Sequence, residues 1–139
     1  MFYENKEEII LLVKKFEDCT VTGEEWTHAA HLTVALWYAL NNSFDEALGK
    51  MRKGIFKLNE AHGTPNTPTR GYHETLTIFW MKTVWAYKLT NKGLLPVDLI
   101  NSLIKDCNSS LPLRFYGREL LFSLDARARY IEPDLFEQI

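Results

Sequence analysis

The chain has 139 residues and a mass of 16.2 kDa, with 46% hydrophobic and 24% charged residues. That size and balance fit one globular domain over residues 1–139 and exclude a disordered tail or a fibre. Sixteen Lys plus Arg against eighteen Asp plus Glu leave a formal charge of -2 and a pI near 6.1, so no basic field exists to hold nucleic acid or an anionic membrane surface.

The N-terminal stretch Met1 to Phe16 has an apolar run of only five residues, Ile9 to Val13. This is too short for a signal peptide or a membrane span. Cys19 and Cys107 lack a CxxC partner and fit reduced thiols better than a disulfide framework. Both points make the cytoplasm the expected location.

Three segments open with a capping side chain followed three residues later by Glu: Asn5 with Glu8, Thr22 with Glu25, and Ser43 with Glu46. This spacing predicts helices over about 6–18, 23–41 and 44–61, the last stopped by Gly63. Residues 63–71 carry two Pro and two Gly and read as a loop within the domain. A long helix is predicted over about 72–90, ended by Asn91 and Gly93. Pro96 suits the first turn of a fifth helix to about 107. Breakers at Pro112, Gly117 and Ser123 predict two short helices and an extended end at Pro133. No period-2 run occurs, so the class is all-α, a single-domain bundle of about five to seven helices.

Three of the four histidines lie in two short motifs, Trp26-Thr-His28-Ala-Ala-His31-Leu32 and Gly71-Tyr72-His73-Glu74-Thr-Leu-Thr77. His28 and His31, three positions apart, emerge about 60° from each other on one helix face. Leu32, Ala35 and Ala39 share that face, and Trp26 and Trp37 lie opposite, so this helix is expected to run through the bundle centre. On the next long helix His73 is in register with Thr77, Trp80, Val84 and Tyr87. Glu74 stands about 100° away, beside Ile78, Met81 and Trp85, where a carboxylate needs a charged or hydrogen-bonded partner.

Two inward-facing histidine helices could bring His28, His31 and His73 onto one divalent metal, Zn, Fe or Mn, with an open fourth position. Glu74 would then deprotonate a bound water, with Thr77 as the second candidate catalytic residue. The alternatives are a metal-free cluster of histidines that binds a ligand, and histidines that hydrogen-bond within the core. His62, at the end of the third helix, reads as structural.

Four of the six arginines, Arg114, Arg118, Arg127 and Arg129, fall within sixteen residues. Arginine suits bidentate recognition of carboxylate or phosphate. Arg114, Arg118 and Arg127, with Tyr116, are therefore candidate contacts to a small anionic substrate, while pairing with Glu119, Asp125, Glu132 and Asp134 is the competing explanation.

In these residues the chain resembles an uncharacterised family of small helical bacterial proteins. Its pattern is W-T-H-x-x-H-L early, G-Y-H-E-T-x-T in the middle and R-F-Y-x-R, A-R and P-D-L late, here Trp26 to Leu32, Gly71 to Thr77, Arg114 to Arg118, Ala126 to Arg127 and Pro133 to Leu135. Gly117 departs from it, standing where the family carries Ser. The resemblance covers the chain from residue 16 onward and implies one site assembled from three parts of the sequence, without an established activity.

Together these features lead to the expectation of a small metal-assisted enzyme, hydrolytic in preference to redox. A non-enzymatic small-molecule binding domain and a helical interaction protein with an aromatic dimer interface are the other two expectations.

Overall fold

A computed structural model describes residues 2–135 and gives an all-α bundle, so the assignment of residues 1–139 to one domain extends past the described part. The helices are α1 (Lys6–Glu17), α2 (His28–Asn41), α3 (Phe44–Ala61), α4 (Glu74–Thr90), α5 (Pro96–Asp106), α6 (Arg118–Leu121) and α7 (Leu124–Ala128). A 3₁₀ turn, Leu111–Arg114, lies between α5 and α6. Among the described residues no helix is long and apolar enough to cross a membrane.

α2 is the central element, in contact with α1, α3, α4 and α5. Its sequence explains that position. Leu32 through Leu36 are all buried, as are Ala30, Tyr38 and Ala39, leaving no polar stripe to turn toward water. The one hydroxyl in this run, Thr33, is satisfied internally by the Ala29 carbonyl at 2.7 Å and by Tyr3 Oη at 3.0 Å.

Asn5 and Glu8 form a complete capping box at α1, as do Ser43 and Glu46 at α3. Thr22 and Glu25 also form the reciprocal pair, with the Thr22 N–H on Glu25 Oε1 at 2.9 Å and the Glu25 N–H on Thr22 Oγ1 at 3.2 Å. Here, however, the expected helix from residue 23 does not propagate. Lys15 of α1 holds the Glu25 carboxylate at 2.5 Å, and the Trp26 ring stacks on Phe16 at 4.9 Å. These contacts fix a single turn. Thr27 then adopts extended backbone and caps a fresh helix through Ala30 N–H. Trp26 therefore precedes α2 instead of lying on its far face.

α4 likewise starts two residues later than the periodicity suggests, at Glu74, because His73 has extended backbone and serves as its N-cap. The loop before it is pinned by Asn66, which accepts from Asn59 Nδ2 at 3.0 Å and from the Tyr72 N–H at 2.9 Å and donates to the Phe56 carbonyl at 3.1 Å. Gly71 sits at φ +85°, and a Cβ there would run into the Pro65 carbonyl and the Asn66 side chain.

The two short helices and the extended end expected after residue 112 are present. The end is strapped back onto α4. Thr75, fully buried, donates to the Arg129 carbonyl at 2.9 Å and accepts from the Ile131 N–H at 3.1 Å. Asp134 accepts from the Gly117 N–H at 2.8 Å.

Gly71→Ala combines left-handed backbone strain with this collision, so it is expected to cost about 1–3 kcal/mol in denaturant unfolding while leaving helix content unchanged.

Candidate functional site

The early and middle histidine motifs meet at one cavity of about 320 Å³, lined by Trp26, Thr27, His28 and His31 from the start of α2 and by Gly71, Tyr72, His73, Leu76 and Thr77 from the start of α4. Ile55 and Asn59 of α3 complete the wall. The volume lies at the lower end of the range of small-molecule sites. Of the described residues that line it, none is acidic.

The three imidazoles reach this cavity in three different states. His28 donates from Nε2 to the carbonyl of Cys107, the C-cap of α5, at 3.0 Å, and its ring lies 4.9 Å from that of Trp80. Its Nδ1 has no partner among the described residues. His73 uses both nitrogens: Nδ1 accepts from the Leu76 N–H at 3.1 Å, and Nε2 donates to the Leu121 carbonyl at 2.7 Å. An acceptor on one side and a donor on the other define the neutral Nε2–H tautomer. Burial lowers its pKa, the carbonyl bond at Leu121 partly opposes this, and the positive charge of Arg127 lowers it further.

His31 differs from both. Its ring packs edge-on against Trp26 at 5.6 Å, and no described residue hydrogen-bonds it. Its ring is partly exposed at the cavity; desolvation by the surrounding protein, helped by the neighbouring His28, lowers its pKa to about 4. The imidazole is neutral near pH 7 and offers the cavity one donor and one acceptor.

Glu74 does not line the cavity. Its carboxylate, 18% accessible, receives a bidentate fork from Arg52 of α3, Nε to Oε1 at 3.0 Å and Nη2 to Oε2 at 2.7 Å. The Tyr72 hydroxyl adds a bond to Oε1 at 2.6 Å. Burial alone would raise the Glu74 pKa, but Arg52 and Tyr72 outweigh it and the net shift is downward. Burial and the bond to Glu74 push Tyr72 up to about 12, so its phenol stays protonated and works as a strut for the cavity wall. The partner that a buried Glu74 demanded is thus Arg52, which sequence reading missed. Thr77 is at the cavity, with its hydroxyl donating to the His73 carbonyl at 2.9 Å.

The late arginines do not gather at the cavity. Arg127 comes nearest, with Nη1 2.8 Å from the Gly71 carbonyl and 3.4 Å from that of Tyr72; it braces the loop from behind. Arg118 and Arg114 are exposed and outside the lining, and Arg129 pairs with Asp125 at 3.7 Å on the surface. Tyr116 is buried, and its hydroxyl donates to the Ile131 carbonyl at 2.6 Å. His62 is hydrogen-bonded through Nε2 to the Val21 carbonyl at 2.8 Å and lies outside the cavity.

A three-imidazole metal centre with Glu74 as base receives no support from these partners. His73 has no lone pair left to give, and Glu74 is committed to Arg52. Among the described residues no three His, Cys, Asp or Glu side chains form a group that could hold a metal ion. The cavity residues that sequence reading did not single out are Ile55 and Asn59. Their only local signal was a helical Asn two turns from an Asn-containing loop.

Two outcomes follow from these bonds. His73→Ala strands the Leu76 N–H and the Leu121 carbonyl, and is expected to cost about 1–3 kcal/mol in denaturant unfolding. At His31 the unfolded chain takes up a proton below about 6.5 that the folded chain refuses until about 4. Stability is therefore whole above that window and falls within it by up to about 1.4 kcal/mol per pH unit. His31→Gln should remove this part of the slope in unfolding measured from pH 7 to pH 4.

Comparison with known protein families, with curated proteins and with solved structures finds no match, so the functional argument starts from the cavity itself.

Proposed function

We propose that the chain is a small-molecule binding protein that works without a metal, with its ligand held in the cavity between α2, α3 and the start of α4 and recognised by His31. The observation that carries this reading is the contrast among the imidazoles. His28 and His73 are anchored to backbone carbonyls, whereas the ring of His31 lines the cavity with no hydrogen-bond partner among the described residues. The His31 ring is partly exposed at the cavity and makes no hydrogen bond to a described residue, so a ligand can bond to it without displacing one. Trp26, Tyr72, Ile55 and Leu76 supply apolar surface around it, the usual pairing of enclosing walls with a few orienting polar groups. The metal-assisted hydrolase is the weaker reading, because it requires His73 to release one of its two backbone bonds and Glu74 to leave Arg52.

A fragment screen followed by amide NMR should place ligand-induced shifts at Trp26, His31, Tyr72 and Leu76. His31→Ala is expected to weaken those fragments by about tenfold, the loss of one well-made hydrogen bond. Zinc, iron and manganese salts should leave the thermal midpoint unchanged. A metal-dependent rise that disappears in both His28→Ala and His31→Ala would instead establish the metal reading.

A further inference from the structure

The hydrogen-bonding character of the cavity wall is set by bonds made behind it. Asn66 Oδ1 accepts the Tyr72 N–H at 2.9 Å and Asn66 Nδ2 donates to the Phe56 carbonyl at 3.1 Å, so this amide has one orientation. Asn59 must then turn its own Nδ2 to Asn66 Oδ1, at 3.0 Å. That leaves Asn59 Oδ1 as an acceptor with no partner among the described residues. On α2 the Cys107 carbonyl takes the Nε2 proton of His28 at 3.0 Å, and in the neutral ring this makes Nδ1 a second acceptor without a described partner.

Neither atom is sealed in protein. His28 and Asn59 are partly exposed, and among the described residues no buried side-chain nitrogen or oxygen lacks a hydrogen bond, so their unpaired atoms are open to solvent. Both residues line the cavity, as does His31, whose neutral ring has a donor to give.

Charge is kept out of this space. Among the described residues no Asp, Glu, Lys or Arg lines the cavity. Arg52 and Glu74 neutralise each other through their fork, and Arg127 turns its guanidinium to the carbonyls of Gly71 and Tyr72. An ionised ligand would leave water for a lining without a counter-charge, whereas an uncharged one gives up only hydrogen bonds that the wall can replace. Trp26 and Tyr72, with Ile55 and Leu76, supply the surface for an aromatic body.

We propose that the ligand is a small uncharged aromatic amide, its two N–H groups received by Asn59 Oδ1 and His28 Nδ1 and its carbonyl by the N–H of His31. This assignment rests on the small-molecule reading above and names the ligand's class. A primary amide carries two donors and one acceptor in one plane, the converse of what these three side chains offer. A ketone of the same outline leaves both acceptors unpaired, a carboxylate sets its lone pairs against them, and an ammonium brings a charge that no lining carboxylate meets.

The test titrates the full chain at neutral pH with four compounds of similar outline: benzamide, acetophenone, benzoate and benzylammonium. Benzamide should bind about tenfold tighter than each of the other three, the worth of about one net hydrogen bond. Its amide protons should show nuclear Overhauser contacts to the side chains of His28 and Asn59, a readout that needs no variant. Asn59→Leu, checked for folding by thermal unfolding, should shrink the preference for benzamide over acetophenone while leaving acetophenone unchanged. Acetophenone, benzoate or benzylammonium binding as tightly as benzamide, with shifts at the same cavity residues, would overturn the amide and leave the small-molecule reading standing. A benzamide preference undiminished in folded Asn59→Leu would also overturn it. Benzamide that shifts no cavity residue would overturn it too, while the fragment screen decides the broader reading separately.

Discussion

The imidazole of His73 is the constraint on which the site depends. One ring closes the N-terminus of α4 through Leu76, fastens α6 through the Leu121 carbonyl and forms part of the cavity wall. Each bond demands the opposite character of its nitrogen, so together they fix one neutral tautomer and one ring orientation. A Ser or Asp cap would supply the acceptor for Leu76, but neither offers an N–H donor to reach a second element.

The same residue type does three different things within one cavity because its surroundings differ. His28 ties the start of α2 to the C-cap carbonyl of α5, His73 ties α4 to α6, and the ring of His31 is hydrogen-bonded by nothing among the described residues. The first two hold the walls at a distance set by hydrogen bonds that would be expensive to break away from water. His31, partly exposed at the cavity, is left free to meet a ligand. Arg52, Glu74 and Tyr72 brace the outer side in a similar way, a fork and a phenol meeting on one carboxylate.

Local chemistry was legible in the sequence wherever a few neighbouring residues decide the outcome. The capping pairs at Asn5 and Ser43 mark true helix starts, the breakers mark the loop and the late turns, and the apolar circumference of α2 marks it as the central helix. Thr22 and Glu25 show where that logic ends, since their pair forms while Lys15 and Phe16, from another helix, stop the turn from growing. The demand of Glu74 for a partner could be read from its place among apolar residues. The identity of that partner could not, because Arg52 reaches it from a separate helix and carries no sequence mark of doing so. For the late arginines, composition showed a cluster, yet a cluster in sequence became a spread in space once short helices turned each side chain a different way.

Arg127 bonds the carbonyls of Gly71 and Tyr72, Leu121 receives His73, and Arg129 and Ile131 bracket Thr75. The part of the wall contributed by residues 71–77 is therefore held from outside by residues about 50 positions later in the chain. Contacts of such long sequence separation form late, because the loop they close must be ordered before they stabilise anything. On a ribosome the helices α1 to α5 would have emerged and could have packed around α2 while the cavity still lacked its brace. A chain that stopped short of Leu121 would carry every cavity-lining side chain, Trp26 to Thr77, without any of these braces.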